Sequence, residues 1–171
     1  MIETSGLYWR ILFADRAGEA LAPVRHKEGR FHHSGQEAIY LSPSIEAAHV
    51  AIDSYYREDD PPRVVIPLRL SDAYLLDFRD PDVMVRHGLA GHETRVNWRD
   101  ERAAGQPASS WSASDAAREA GADGMLYTSR KRPEFHHLVL FRWNSAGYAR
   151  LTPEGKVQQF IPQHEQDTGD R

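Results

Sequence analysis

The segment Ala38-Ile39-Tyr40-Leu41-Ser42-Pro43-Ser44-Ile45-Glu46-Ala47-Ala48-His49-Val50-Ala51-Ile52 decides how the chain is read. Its first four residues are an apolar run long enough for a buried strand and too short for a helix. Ser42-Pro43-Ser44 then supplies a turn, and Ser44 is a residue type that accepts hydrogen bonds from the free N–H groups of a helix start. Beyond it Ile45, Ala48, Ile52 and Tyr55 or Tyr56 recur at helical spacing. A strand, turn and helix are therefore expected over about 38–56.

Upstream, Leu7-Tyr8-Trp9-Arg10-Ile11-Leu12-Phe13 is rich in aromatic and branched residues and reads as a first strand, followed by a polar loop from His26 to Gly35. Downstream, Arg63-Val64-Val65-Ile66-Pro67-Leu68-Arg69-Leu70 reads as a strand that Pro67 places at an edge or bulge. Ala73 to Leu76 reads as a second strand after the turn Ser71-Asp72. Asp80-Pro81 pairs a capping acid with a proline at the first helical position, and Gly88 ends that short helix. Residues 91–110 are polar and punctuated by Gly and Pro, so loop with some helix is expected there. Ser112-Ala113-Ser114-Asp115 opens a further helix that Gly121 stops, and Gly124–Tyr127 and His137–Trp143 read as the last strands. Strands outnumber long helices without regular βαβ alternation, which points to a single α+β domain over 1–162 and a frayed polar tail over 163–171.

The 171 residues carry 21 Lys and Arg against 25 Asp and Glu, a formal net charge of -4. Such a balance lacks the cation surplus of a protein that coats nucleic acid, while leaving room for a local Arg-lined pocket. With no cysteine in the chain, disulfides, thiolate metal sites and cysteine nucleophiles are excluded. The acidic opening Met1-Ile2-Glu3 and the lack of any long apolar run point to a soluble, cytoplasmic protein with no membrane association.

The chain has no G-x-G-x-x-G, no G-x-x-x-x-G-K-[ST] and no G-x-S-x-G, and in His92-Glu93 the place of a zincin's second His is taken by Val96. The doublets His32-His33 and His136-His137 raise a metal-hydrolase reading, but adjacent residues of a strand point to opposite faces, so no metal is expected. More informative is Gly29-Arg30-Phe31-His32-His33-Ser34-Gly35, an arginine in a glycine-bounded loop just before the strand that carries Tyr40. A guanidinium fork suits a diphosphate and a phenol ring suits a flat heterocycle. An exposed loop arginine and a core tyrosine are the alternative reading of the same residues.

Taken in order, Tyr8-Trp9-Arg10-Ile11, Gly29-Arg30-Phe31 with Gly35, Ala38–Ser42, Leu76-Asp77-Phe78-Arg79-Asp80, Gly121–Arg130 and His137–Phe141 resemble the RES domain family, the toxins of RES-Xre toxin-antitoxin pairs, over about residues 7–144. The resemblance implies an ADP-ribosyltransferase-like mixed β core with flanking helices. It implies NAD as substrate, consumed by hydrolysis, phosphorolysis or ADP-ribosyl transfer, and an Xre-type antitoxin as partner. On the same basis Arg30, Tyr40 and Ser129 match the family's arginine, tyrosine and serine; His32, two residues from Arg30 in the same loop, is a further candidate NAD contact. Homo-oligomerisation is left open.

One position departs from the family pattern: counted from Tyr40, its glutamate falls at Ala51. Breaking the nicotinamide–ribose bond develops positive charge on the sugar, which a carboxylate stabilises. Glu46 and His49 lie about 140° and 200° around the helix from Ala51, so they face elsewhere. His32, His33 and Glu134 remain as candidate substitutes. Arg130-Lys131-Arg132 reads either as a diphosphate contact or as a solvated charge run, and Ser109-Ser110-Trp111 as a helix start or pocket rim. Two functional readings follow: an NAD-consuming RES-type enzyme, or a RES-like module that binds a nucleotide or protein without catalysis.

Overall fold

A computed structural model describes residues 1–162, so the expected tail at 163–171 lies outside the described residues. Seven strands form one sheet: β1 (Ile2–Phe13), β2 (Ile39–Leu41), β3 (Arg63–Asp77), β4 (Gly124–Thr128), β5 (His136–Leu140), β6 (Arg150–Pro153) and β7 (Gln158–Gln159). The order is β1-β3-β4-β5-β2, with β6 and β7 also on β3. Among the described residues only the β3–β4 pair is parallel. This is the mixed α+β architecture expected. Four helices complete it: α1 (Ile45–Ile52), α2 (Pro81–Arg86), α3 (Trp98–Ala103) and α4 (Ser110–Glu119).

β3 organises the sheet because it is long enough to serve several partners. Along one side it pairs with β1 nearly end to end. On the other it meets β7 at Val64 and Val65, β6 at Leu68 to Ser71 and β4 at Leu75 to Asp77. The sequence predicts two strands broken at Ser71-Asp72, whereas the chain runs through. Asp72 takes φ +56°, Thr4 pairs with Ala73 and Gly6 with Leu70, and the extra residue is absorbed as a bulge in which the Asp72 N–H donates to Ser5 Oγ. Pro67 lies inside the sheet, not at its edge. Its carbonyl accepts from Glu154 N, so the position where its N–H would be faces the gap between short β7 and β6, and no ladder bond is lost.

Alternation along the strands splits the core in two. On β5, Leu138 and Leu140 join Leu68, Leu75 and Leu151 on one face. Val139 and Phe141 join Phe31, Phe78, Met84, Ala113 and Ala117 on the other, beneath α2 and α4. Gly124 allows close strand packing, since a Cβ there would sit 2.1 Å from the Val139 carbonyl oxygen.

Ser44 caps α1 as its sequence implies, accepting from Ala47 N. The helix is shorter than the apolar spacing suggests: it ends at Ile52, and Tyr55 and Tyr56 fold back in turns onto the Ile52 carbonyl. Asp80 caps α2 and Gly121 closes α4 at φ +72°. α4 begins at Ser110, two residues before its expected start. A 3-10 turn over Ala14–Glu19 follows β1 and is braced by buried Arg10, whose Nη1 donates to the carbonyls of Glu19, Ala20 and Ala22. Burial lowers the Arg10 pKa to about 10. Just past β2, Ser42 exchanges two backbone hydrogen bonds with Trp9 of β1, drawing the far strand of the sheet back to the first.

Candidate active site

Where β2 meets β1, a cavity of about 620 Å³ opens between the strands, α1 and the loop of residues 26–32. Arg30, His32, Tyr40 and Ser129, far apart in the chain, all line it.

α4 positions Arg30 by holding the backbone of its loop. Trp111 Nε1 donates to the Gly29 carbonyl at 2.8 Å, Ser110 Oγ donates to the Arg30 carbonyl, and Arg118 reaches the Phe31 carbonyl. Ser110 and Trp111 are therefore anchors of the arginine loop, and neither forms the pocket rim. Gly29 is required locally, since a Cβ at that position would sit 2.3 Å from His32 Cε1. The Arg30 guanidinium lies about equally far from the Phe31 and Tyr127 rings, at 4.9 and 5.0 Å. Its Nη2 donates to the Thr94 carbonyl, while its buried Nε has no partner among the described residues. Burial pushes its pKa down, yet an arginine stays charged at neutral pH. The result is a fixed cation with unused donor capacity facing a cavity.

Tyr40 and His32 form a closed relay. The Phe31 N–H donates to the Tyr40 hydroxyl at 2.9 Å, and that hydroxyl lies 2.9 Å from His32 Nδ1. His32 Nε2 is 2.9 Å from the His26 carbonyl, an acceptor only, so Nε2 carries the proton and Nδ1 accepts from Tyr40. Burial disfavours the charged form of both groups, raising the phenol and lowering the imidazole. Both nitrogens of His32 are thus engaged, which removes it as a free substitute for the absent glutamate. Tyr40 offers its ring.

Ser129 Oγ accepts from Arg132 N at 3.3 Å and its own N–H donates to the Phe135 carbonyl, so it shapes the turn after β4 while lining the cavity. The basic run divides there. Arg130 and Lys131 are on the cavity wall, whereas Arg132 pairs with Glu134 outside it.

Ala51 lies exposed on the cavity wall, and of the candidate substitutes only His32 shares that wall. Glu46 is exposed outside the lining, and His49 packs on Phe160 with ring centroids 4.6 Å apart. His33 donates to Asp115 and stacks on Trp111, holding the loop to α4. Among the described residues the one carboxylate on the wall is Glu28, ion-paired with Arg102 at 2.9 Å. No group of three or more His, Asp or Glu side chains among the described residues is placed to hold a metal.

His137, expected as the first residue of a strand and half of a doublet but not as part of a site, lines the cavity. Strand alternation turns it inward, where Nδ1 lies 3.0 Å from Ser42 Oγ, while His136 stands on the opposite face. Burial, and then the nearby Arg30 charge, lower its pKa to about 4, so it is neutral at pH 7. The signal available in the sequence was strand alternation, which puts His137 on the same face as Val139 and Phe141.

A mixed sheet whose first and last strands in spatial order meet beside a cavity walled by arginines and aromatic rings defines a small α+β protein. The RES domain family matches residues 7–161, and the chain belongs to that family. Among solved structures, a chain of the M. tuberculosis MbcT-MbcA toxin-antitoxin complex is similar with a TM-score of 0.63 and 19% identity, over 97% of this chain and 90% of that one. No curated protein matches. No helix among the described residues is long and apolar enough to cross a membrane.

Proposed function

We propose that the protein is the toxin of a toxin-antitoxin pair and acts on NAD, cleaving the bond between nicotinamide and ribose. One observation carries the reading: Arg30, with an unpartnered buried Nε, shares a cavity of about 620 Å³ with the Tyr40 ring and Ser129. In this reading Arg30 grips the diphosphate, Tyr40 stacks on nicotinamide or its ribose, and Ser129 orders the turn beside them. Neutral His137 completes an interior in which developing positive charge on the sugar meets no added cation from the imidazole. Water, phosphate or a protein side chain then takes the ribosyl carbon. An Xre-type antitoxin encoded beside the toxin is the proposed partner, supported by family membership and by the similarity to a chain of a toxin-antitoxin complex.

Ala51 supports a second reading, a RES-like module that binds a nucleotide or a protein without turnover, because no carboxylate replaces the family glutamate on that stretch of wall. NAD consumption by the purified protein, with and without phosphate, separates the two. Turnover that falls at least about 100-fold in Arg30→Ala while the fold is retained supports the enzyme. NAD binding without turnover supports the module. Expression without a partner is expected to arrest growth, and Arg30→Ala to relieve the arrest.

A further inference from the structure

Beside the main cavity lies a second one of about 410 Å³, and the two share Ile11, Leu12, His26, Ile52, Ser54, Tyr55 and Arg99 along their common wall. The second cavity is strongly cationic. Arg16, Arg57, Arg63 and Arg99 line it against a single carboxylate, Asp60. Asp60 is already engaged, accepting from Arg63 Nη2 at 2.8 Å and from the Arg57 backbone N–H at 3.2 Å. Arg57 and Arg99 make no ion pair with any described residue, and the Arg99 guanidinium lies 4.1 Å from the Tyr55 ring centroid, on the wall between the two spaces.

The second observation is Arg63, at 9% exposure, whose Nε is buried without a partner. Its guanidinium is fixed by the Phe13 ring at 4.0 Å and by Asp60. Two unpaired arginines and one buried, unsatisfied guanidinium nitrogen converge on a space continuous with the dinucleotide cavity. Glu19 pairs with Arg16 at 2.8 Å and Asp60 with Arg63, so the surplus of two positive charges left on the four arginines matches a dianion: a phosphate monoester.

We infer that the Arg57, Arg63 and Arg99 basin is a second anion subsite that takes a phosphate monoester next to the dinucleotide, making a 2′-phosphorylated nicotinamide dinucleotide a preferred ligand. This rests on the function proposed above. The same dianion could also arrive as free phosphate, and the experiment separates the two sources.

Calorimetric titration with ADP-ribose and with its 2′-phosphorylated form compares the ligands without a bond to nicotinamide that can break. The phosphorylated form is expected to bind about tenfold more tightly, and the preference to fall towards one in Arg57→Ala and in Arg63→Gln. Arg57 is exposed, so the first variant keeps the test valid should the second fail to fold. If the two forms bind alike but inorganic phosphate binds and is lost in Arg57→Ala, free phosphate is the source of the dianion. Equal binding with no phosphate effect, or a preference untouched by either variant, overturns the inference. NAD turnover, followed separately, tests the parent reading. Turnover with equal binding and no phosphate effect sinks the subsite alone, whereas no turnover with a preference lost in Arg57→Ala sinks catalysis and keeps the subsite.

Discussion

Among the described residues Arg30 meets no carboxylate; its guanidinium has two rings and one carbonyl as partners, which leaves its charge available to a ligand. Ala51 is the counterpart, a small apolar residue on the wall where a charged group is chemically useful. Ala51→Glu is expected to raise nicotinamide release from NAD by at least about tenfold in single-turnover assays, since a carboxylate there stabilises the developing oxocarbenium ion. An unchanged rate would place the breaking bond away from α1. Tyr40→Phe removes the hydroxyl that satisfies both the Phe31 N–H and His32 Nδ1. Leaving those two buried groups without a partner costs about 1–3 kcal/mol of stability, readable as a lower urea midpoint at unchanged slope.

At the scale of elements, α4 serves the site without lining it. Ser110 and Trp111 hold the carbonyls of Arg30 and Gly29, so the helix sets where the guanidinium stands. Trp111→Phe keeps the ring and loses the indole donor; it is expected to raise KM for NAD several-fold with a smaller change in kcat, because the loop must be ordered at the moment of binding. Gly29→Ala forces its methyl into the His32 ring and is expected to destabilise the fold by about 1–3 kcal/mol, measured by chemical denaturation. Strand β3 likewise does more than its local sequence suggests, because a residue in left-handed conformation at Asp72 lets one strand continue where the local signals read as a turn.

For the whole molecule, burial of neutral histidines ties stability to pH. His137 has a folded pKa of about 4 against an ordinary value of 6.5, and burial also lowers His32 and His49. As pH falls below about 6.5 the unfolded chain takes up protons that the folded chain refuses until about pH 4. The unfolded state then binds more protons, so stability present at pH 7 is lost progressively across that window. His137 alone accounts for on the order of 3 kcal/mol by pH 4. Urea unfolding from pH 7.5 to 4 should show this slope, and His137→Phe should flatten it; an equally steep curve in the variant would assign the loss to other groups.

Features set by neighbours in the chain were legible in the residues alone: the strand at Ile39–Leu41, the Ser44 cap, the Asp80-Pro81 helix start, the Gly121 stop and the α+β class. Each follows from backbone hydrogen-bonding needs and side-chain periodicity within a few residues. The ordered fragments from Tyr8 to Phe141 also marked the family. Tertiary structure decided the rest. It buried His137 beside Arg30, engaged both nitrogens of His32, and turned Ser110 and Trp111 into anchors of a loop some 80 residues earlier, Ser110 and Arg30 lying 80 apart. It also gathered Arg57, Arg63 and Arg99 around one space. The reason is physical: a charge, a tautomer or an unsatisfied donor depends on what lies within a few ångströms, and those neighbours come from distant strands that only packing of the sheet brings together.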